Sequence, residues 1–195
     1  MLQPRTLDRK IAVPALVPNP NDFLIVSGLA GAAKDAGSLT QETANAFLLG
    51  GAMGAGTPMA FGLALAQPDR RILAIVGDAD LTMTLGAMAT IGVRQPANLA
   101  ILCVDNGHFG ETGYQEAHTN TALDLAQIAH GCGFKSVRTV STKDDIPAAR
   151  TTLSSDDGVA FVWLRTNTDP APKYARNWDA VERKTIFRRA LALKG

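Results

Sequence analysis

Short, continuously apolar segments alternate along this chain with longer segments typical of helices, and this alternation constrains the fold more than any other feature. The apolar segments lie at 23–26, 46–49, 72–76, 99–104, 134–137 and 159–164. The helical segments lie at 53–67, 81–95, 122–131 and 144–153. Strands that are buried on both faces are continuously apolar, because helices cover the two faces of a parallel sheet. The sequence therefore predicts an α/β fold with a three-layer, doubly wound parallel sheet.

The alternating pattern occupies residues 21–168, which we expect to form the central domain. The two ends of the chain do not follow this pattern. Four prolines within residues 1–20 fix the backbone torsion φ and remove amide donors, which predicts an extended N-terminal arm and not a helix. After the central region, the breaker segment TDPAP precedes a charged amphipathic segment at 177–193. We therefore expect a linker and a helix within 169–195, with Asn177 as the N-cap.

Composition and charge argue against several classes of protein. The 19 basic and 18 acidic side chains give a formal net charge of +1, so we expect neither nucleic acid nor a membrane surface as partner. Gly, Pro or a charged residue interrupts every apolar stretch before it could span a bilayer, and MLQPRTLDRK lacks the apolar segment of a signal peptide. Two cysteines, Cys103 and Cys132, do not make a disulfide framework. These features predict a cytoplasmic protein.

Oxygen-bearing side chains and glycines follow two of the predicted strands, in GDAD at 77–80 and DNGHFG at 105–110. Ligands of open parallel sheets bind outside the carboxyl ends of strands, and the 28 positions from Asp78 to Asn106 suit neighbouring strands of a βαβ unit. A carboxylate, an amide oxygen and a backbone carbonyl are hard ligands for Mg²⁺, and the nearby glycines favour a bound anion. The pattern predicts a metal and diphosphate site. Taken singly, Asp78 is better explained as a helix cap and Asn106 as a turn residue, and only the pair at matching strand ends favours the metal site.

These two segments resemble the GDG…N motif of thiamine-diphosphate (ThDP) enzymes. The resemblance implies that Asp78, Asn106 and the backbone carbonyl of His108 bind the Mg²⁺ that holds the cofactor diphosphate. Ala79 departs from the usual third glycine, and Asp80 stands where serine is common. Because a carboxylate would repel diphosphate, we expect the Asp80 side chain to turn away and to offer only its backbone N–H.

The glycine-rich segment GGAMGAG at 50–56 resembles the part of ThDP enzymes that holds the aminopyrimidine ring. In that case the Gly51 carbonyl would accept from the 4′-amino group, the Met53 N–H would donate to the ring, and the Met53 side chain would hold the cofactor bent. The alternative is a closely packed helix start with Met53 in the core. The spacing is not G-x-G-x-x-G, which disfavours a dinucleotide site. The cofactor-binding residues implied by the resemblance are Gly51, Ala52, Met53, Gly77, Asp78, Ala79, Asp80, Met83, Asn106, His108, Phe109, Gly110, Glu111 and Thr112.

The region from about 48 to 132 is similar to the β subunit of sulfopyruvate decarboxylase and to the related part of phosphonopyruvate decarboxylase. The resemblance implies a ThDP- and Mg²⁺-binding subunit of a two-component decarboxylase that acts on a small 2-oxo acid. A pyrimidine-binding α subunit would supply the activating glutamate, in an α₂β₂ or larger assembly. Two alternatives are a carboligase subunit of the acetolactate-synthase type and a non-catalytic subunit that kept the fold.

The loop at 107–120 is expected to cover the cofactor. Glu111 and His118 are the candidate catalytic groups in it, and Gln115 is a further candidate for facing the substrate. The charge of His118 can change near neutral pH, although a solvated loop histidine explains this residue equally well. The segment at 27–30 follows the first strand and is a further candidate for contact with diphosphate.

Overall fold

The computed structural model describes residues 4–192 and centres on a parallel sheet of six strands. The strands of the chain are β1 (Leu24–Ser27), β2 (Ala46–Leu48), β3 (Ile72–Gly77), β4 (Leu99–Asp105), β5 (His108–Phe109), β6 (Gln115–Glu116), β7 (Ser136–Val140) and β8 (Ala160–Arg165). The sheet order is β2-β1-β3-β4-β8-β7, with every pair parallel, while β5 and β6 form a small antiparallel hairpin. The predicted parallel sheet is confirmed.

Helices cover both faces of this sheet. They are α1 (Arg9–Leu16), α2 (Ala30–Thr40), α3 (Gly56–Ala66), α4 (Asp78–Thr82), α5 (Leu85–Arg94), α6 (Leu125–Gly131), α7 (Ile146–Leu153) and α8 (Ala180–Ala192). One buried cluster joins α1, α2 and α7 to the sheet, and a second joins α3, α5 and α6 to its other face. Successive strand side chains point to opposite faces, and both faces are buried at the inner strands, which explains why β1, β3, β4 and β8 are mostly apolar. The edge strand β7 is partly exposed and contains the polar residues Ser136, Arg138 and Thr139.

The N-terminal segment contains a helix, so the prediction of an extended arm is wrong over Arg9–Leu16. The Asp8 carboxylate caps this helix by accepting a hydrogen bond from the Lys10 amide at 2.8 Å. Pro14 removes one amide donor from the helix, but the apolar side chains of the same helix are buried against α2 and α7. Packing therefore outweighs the cost of the proline. The proposed division of the chain at residues 20 and 168 stays a prediction.

Three other regions of the chain differ from the sequence-based expectation. The small residues of α2 gave too little apolar periodicity for any helix to be predicted there. The single helix predicted over 81–95 is two helices, α4 and α5. The N-cap of the last helix is not Asn177: Asp179 accepts from the Glu182 amide at 2.9 Å, and the Asn177 side chain instead accepts from the Asp179 amide. Residue 193, the predicted end of this helix, lies outside the described residues.

None of the helices found between residues 4 and 192 combines the length and the hydropathy that crossing a bilayer requires.

Candidate functional site

A cleft opens at the carboxyl ends of β1, β3 and β4, where the strand pattern placed the candidate residues. Its wall combines the start of α2, the start of α4, the loop after β4 and the side chain of Met53. The residues that line it are Arg9, Leu29, Ala30, Gly31, Ala32, Met53, Gly77, Asp78, Ala79, Asp80, Val104, Asn106, His108, Phe109, Gly110, Glu111 and Thr112. Eleven of the fourteen cofactor-binding candidates thus border one cleft, since Gly51, Ala52 and Met83 do not line it.

The three candidate metal ligands, Asp78, Asn106 and His108, lie together in this cleft. The neighbouring strands β3 and β4 place them there. Gly77 at the end of β3 pairs with Val104 near the end of β4, so the two strands end at the same edge of the sheet. Asp78 is only 4% exposed. No cluster of three or more His, Cys, Asp or Glu side chains suited to a metal occurs in the described part of the chain. A cation here would therefore depend on amide and carbonyl oxygens beside the Asp78 carboxylate.

Burial, reinforced by the negative charge of Asp105, raises the pKa of Asp78 from 3.8 to about 7. A backbone hydrogen bond from Ala79 acts in the opposite direction, but it is the smaller effect. The Thr119 hydroxyl lies between the two carboxylates, 2.9 Å from Asp105 Oδ1 and 3.4 Å from Asp78 Oδ2. With a single proton it can donate to only one of them at a time. A bound cation would stabilise the charged form of Asp78, so this carboxyl fits a metal site.

Asp105 is fully buried and anchors the loop that follows β4. Its Oδ1 accepts from the Gly107 amide at 2.7 Å and from the Thr119 hydroxyl. Its Oδ2 accepts from Trp163 Nε1 at 2.7 Å and from Arg5 Nη2 at 2.9 Å. Because both oxygens are engaged, Asp105 is suited to holding the loop and not to binding a ligand. Sequence reasoning missed this role, which depends on residues far apart in the chain.

The Asp80 carboxylate turns towards the glycine-rich segment, where Oδ1 accepts from the Gly54 amide. Its Oδ2 is buried without a hydrogen-bond partner, and burial raises the pKa of Asp80. A Cβ at Gly28 would lie 1.9 Å from this Oδ2 atom. Only glycine therefore fits where the turn after β1 meets Asp80. The expected role of the Asp80 N–H towards diphosphate stays a prediction.

Met53 projects into the cleft with 42% of its surface exposed, so the alternative that placed it in the core is wrong. The following residue, Gly54, has a φ of +85°, and its carbonyl accepts from the Thr84 hydroxyl at 2.8 Å. This contact joins the glycine-rich segment to the start of α5, where Thr84 is the N-cap. Gly51 and Ala52 are exposed outside the cleft lining, and Met83 is 61% exposed.

The loop after β4 folds as the β5–β6 hairpin and forms one side of the cleft. Glu111 lies at its exposed rim. His118 is exposed and does not line the cleft; its ring contacts that of Phe109 edge-on, with 5.7 Å between centroids. The structure thus brings Glu111, but not His118, to the cleft wall.

Arg9 and the first turn of α2 are cleft residues that sequence reasoning missed or left open. The Arg9 guanidinium is buried and pairs with the Asp35 carboxylate. It packs so closely under α2 that a Cβ at Gly31 would lie 2.8 Å from Arg9 Nη2. A helix N-terminus with a nearby guanidinium favours a bound anion. The glycine after β1 could have indicated this wall, but nothing local in the sequence indicated Arg9.

Residues 35–163 match the family model described as "Thiamine pyrophosphate enzyme, C-terminal TPP binding domain". The chain is 32% identical over 145 residues to phosphonopyruvate decarboxylase of Streptomyces viridochromogenes, covering 74% of this chain and 36% of that protein. It is 34% identical over 121 residues to sulfopyruvate decarboxylase subunit beta of Methanocaldococcus jannaschii, covering 62% of this chain and 63% of that protein. With the same-named subunit of Methanococcus maripaludis it shares 31% identity over 148 residues, 76% of this chain and 78% of the other.

Among solved structures, the ThDP-dependent 4-hydroxybenzoylformate decarboxylase of Rhodococcus jostii RHA1 resembles the chain with a TM-score of 0.64 at 22% identity. The similarity covers 87% of this chain and 34% of that one. At this identity the likeness shows the fold.

Proposed function

The chain belongs to the thiamine pyrophosphate enzyme family, as a TPP-binding domain, and on that basis we propose that it is the ThDP- and Mg²⁺-binding subunit of a two-component decarboxylase of 2-oxo acids. One observation carries the proposal: Asp78, Asn106 and His108 share a cleft with the first turn of α2. The chain spans 36% and 63% of the lengths of the phosphonopyruvate decarboxylase and the M. jannaschii β subunit that it resembles. Activity, substrate and partner are therefore inferred together from the site and from these relatives.

The cation would be held by the Asp78 carboxylate, the Asn106 amide oxygen and the His108 carbonyl oxygen. Mg²⁺ prefers a few such oxygens and fills its other positions with phosphate oxygens and water. The buried Asp78, with its raised pKa, would gain from a positive charge beside it. One lone pair of the Asn106 side-chain oxygen accepts from the His108 amide at 3.1 Å, and the second is available to a metal.

The diphosphate would lie against the first turn of α2 and the backbone at Ala79 and Asp80, which line the cleft. Amides at the start of a helix have no helical partner and favour a bound anion. Arg9 adds positive charge below this wall, moderated by its pairing with Asp35. The hairpin residues 109–112 would close the cleft from the opposite side. This chain's own contribution is to bind, orient and shield the anionic part of the cofactor.

The ring end of the cofactor would meet Met53 in the cleft and, beyond the cleft lining, the exposed residues Gly51 and Met83. Bound ThDP supplies an electron sink for the loss of CO₂ from a 2-oxo acid. Met53 would orient the rings, since a flexible apolar side chain can fill the angle between them. Glu111 and His118 are the candidate groups towards the substrate, and His118 would require the hairpin to move inward.

The activating glutamate is proposed to come from a pyrimidine-binding α subunit. Within residues 4–192 Glu111 is the only glutamate that lines the cleft; Glu42, Glu116 and Glu182 lie outside it. Relatives of this chain are named as beta subunits, which supports a second chain type in the enzyme. We propose an α₂β₂ or larger assembly, with the active site at the contact between the two chains.

Calorimetry and product analysis test this function. The full chain, together with the chain that co-purifies with it, is titrated with ThDP in the presence and absence of Mg²⁺. It is then incubated with pyruvate, sulfopyruvate and phosphonopyruvate. Metal-dependent binding and formation of the aldehyde and CO₂ are expected. Absence of ThDP binding in the complex would refute the proposal in favour of a non-catalytic subunit, and a carbon–carbon coupled product would refute decarboxylation in favour of a carboligase.

A further inference from the structure

We propose that Arg5 is a positioning residue that closes the loop carrying Asn106 and His108, and that it thereby sets the affinity of the cleft for a divalent cation, a role that rests on the proposed function. Arg5 lies outside residues 35–163, the part of the chain that matches the family model. It does not line the cleft itself. Its effect would be exerted through the residues that it holds.

The Arg5 guanidinium contacts both ends of the same loop. At the start of the loop, Nη1 donates to the Asp105 carbonyl at 2.6 Å and Nη2 donates to Asp105 Oδ2 at 2.9 Å. At the end of the loop, Nη2 donates to the Thr119 carbonyl at 3.2 Å and Nε donates to Asn120 Oδ1 at 3.3 Å. One rigid, planar group thus joins two backbone positions that are fourteen residues apart. A lysine ammonium lacks this forked arrangement of donors.

The loop backbone is fitted closely around this guanidinium. Gly107 has a φ of +72°, and a Cβ at this position would lie 2.9 Å from Arg5 Nε and 3.1 Å from Asn120 Oδ1. The Arg5 side chain is only 9% exposed as a result. Contacts this close leave little freedom for the loop to shift while the guanidinium is present.

Arg5 is itself held in place by the end of β8. Leu7, two residues later, bridges to Thr166 in parallel, and its carbonyl accepts from the Asn167 amide at 2.8 Å. Asp8 then caps α1. The segment that follows Arg5 is therefore anchored at Leu7 and Asp8, and these contacts hold the backbone of Arg5 beside the loop.

Two of the three candidate ligands, Asn106 and His108, lie within the loop whose ends Arg5 holds. Asn106 is flanked by Asp105, which Arg5 binds, and by Gly107, which packs on Arg5 and donates to Asp105 Oδ1. The His108 amide in turn donates to the Asn106 side chain. Residues that orient metal ligands without touching the metal typically change metal affinity by about 10- to 100-fold when they are replaced. We expect an effect of this size for Arg5.

The test compares Arg5→Ala and Arg5→Lys with Arg71→Ala as a matched control. Arg71 also donates to two backbone carbonyls, those of Leu153 and Ser155, but it lies at the amino end of β3, away from the cleft. In the full chain with its co-purifying partner, the Mg²⁺ concentration for half-maximal ThDP binding is measured by calorimetry. In the cofactor-free chain, amide hydrogen exchange of residues 106–118 is measured.

Both Arg5 variants are expected to raise the Mg²⁺ requirement about 10- to 100-fold and to speed exchange in the loop, whereas Arg71→Ala changes neither. Added guanidinium should restore Mg²⁺ affinity to Arg5→Ala. Should Arg5→Ala unfold, Arg5→Lys decides the matter. The proposal is overturned if the folded Arg5 variants match the wild type in either measurement, or if Arg71→Ala raises the Mg²⁺ requirement as much as they do.

The exchange measurement separates this proposal from the function on which it rests. If the wild-type complex fails to bind ThDP, the proposed function is wrong. Faster loop exchange in cofactor-free Arg5→Ala would still support the clamp, and unchanged exchange would refute it.

Discussion

Asp78→Asn should stabilise the cofactor-free protein while abolishing its response to metal. The Asp78 carboxylate is buried beside the charged Asp105, and the resulting destabilisation is what raises its pKa. Asparagine has nearly the same shape and can still contact the Thr119 hydroxyl, but it carries no charge. The substitution therefore removes the electrostatic cost and leaves the packing in place.

The magnitude follows from the change in pKa. A rise from 3.8 to about 7 corresponds to at most about 4 kcal/mol, since a tenfold change in proton affinity is worth about 1.4 kcal/mol. The folded state holds the Asp78 proton more tightly than the unfolded state does. Wild-type stability therefore falls as pH rises from about 4 to about 7, and the full cost is present above that range. The asparagine variant should lack this contribution.

Urea unfolding of the two cofactor-free proteins provides the assay. At about pH 8 the free energy of unfolding of the variant should exceed that of the wild type by up to about 4 kcal/mol, and at about pH 4 the two values should be equal. Adding Mg²⁺ and ThDP should stabilise the wild type alone. Equal stability of the two proteins at the higher pH would refute the electrostatic argument. Stabilisation of the variant by Mg²⁺ and ThDP would refute the metal assignment.

Three further predictions concern residues around the cleft. Met53→Ala should weaken ThDP binding measured by calorimetry. The free energy of unfolding should not change, because the exposed Met53 side chain contributes little to the core, and unaltered ThDP affinity would contradict its proposed role. Gly28→Ala should destabilise the chain by about 1–3 kcal/mol in urea, because its Cβ would lie 1.9 Å from Asp80 Oδ2, and an unchanged midpoint would count against that packing. Arg183→Ala should remove the ion pair of the buried Glu42 carboxylate, which lies 3.2 Å from Arg183 Nε, and lower the free energy of unfolding by about 3–5 kcal/mol. Helix α8 should then become sensitive to proteolysis, and a protease-resistant variant would disprove this attachment.

Local patterns in the sequence were sufficient for the sheet and for the position of the cleft. Continuous apolar segments identify strands buried on both faces, and residues after neighbouring parallel strands must meet at one edge. Asp78 and Asn106 could therefore be placed together before any coordinates were known. Helix α1 could not be foreseen in the same way, because Pro14 argues against a helix locally and only burial against α2 and α7 offsets it.

The sequence by itself determined the parallel α/β sheet, the polar strand ends and the glycines that surround them, because these depend on residues close together in the chain. Only the tertiary structure decided which distant groups hold them in place. Arg5 and Asp105 are 100 positions apart, and Trp163 donates to Asp105 from 58 positions away. Local sequence periodicity does not predict such contacts, because a buried charge is paired with its partners only when the whole chain has folded around it.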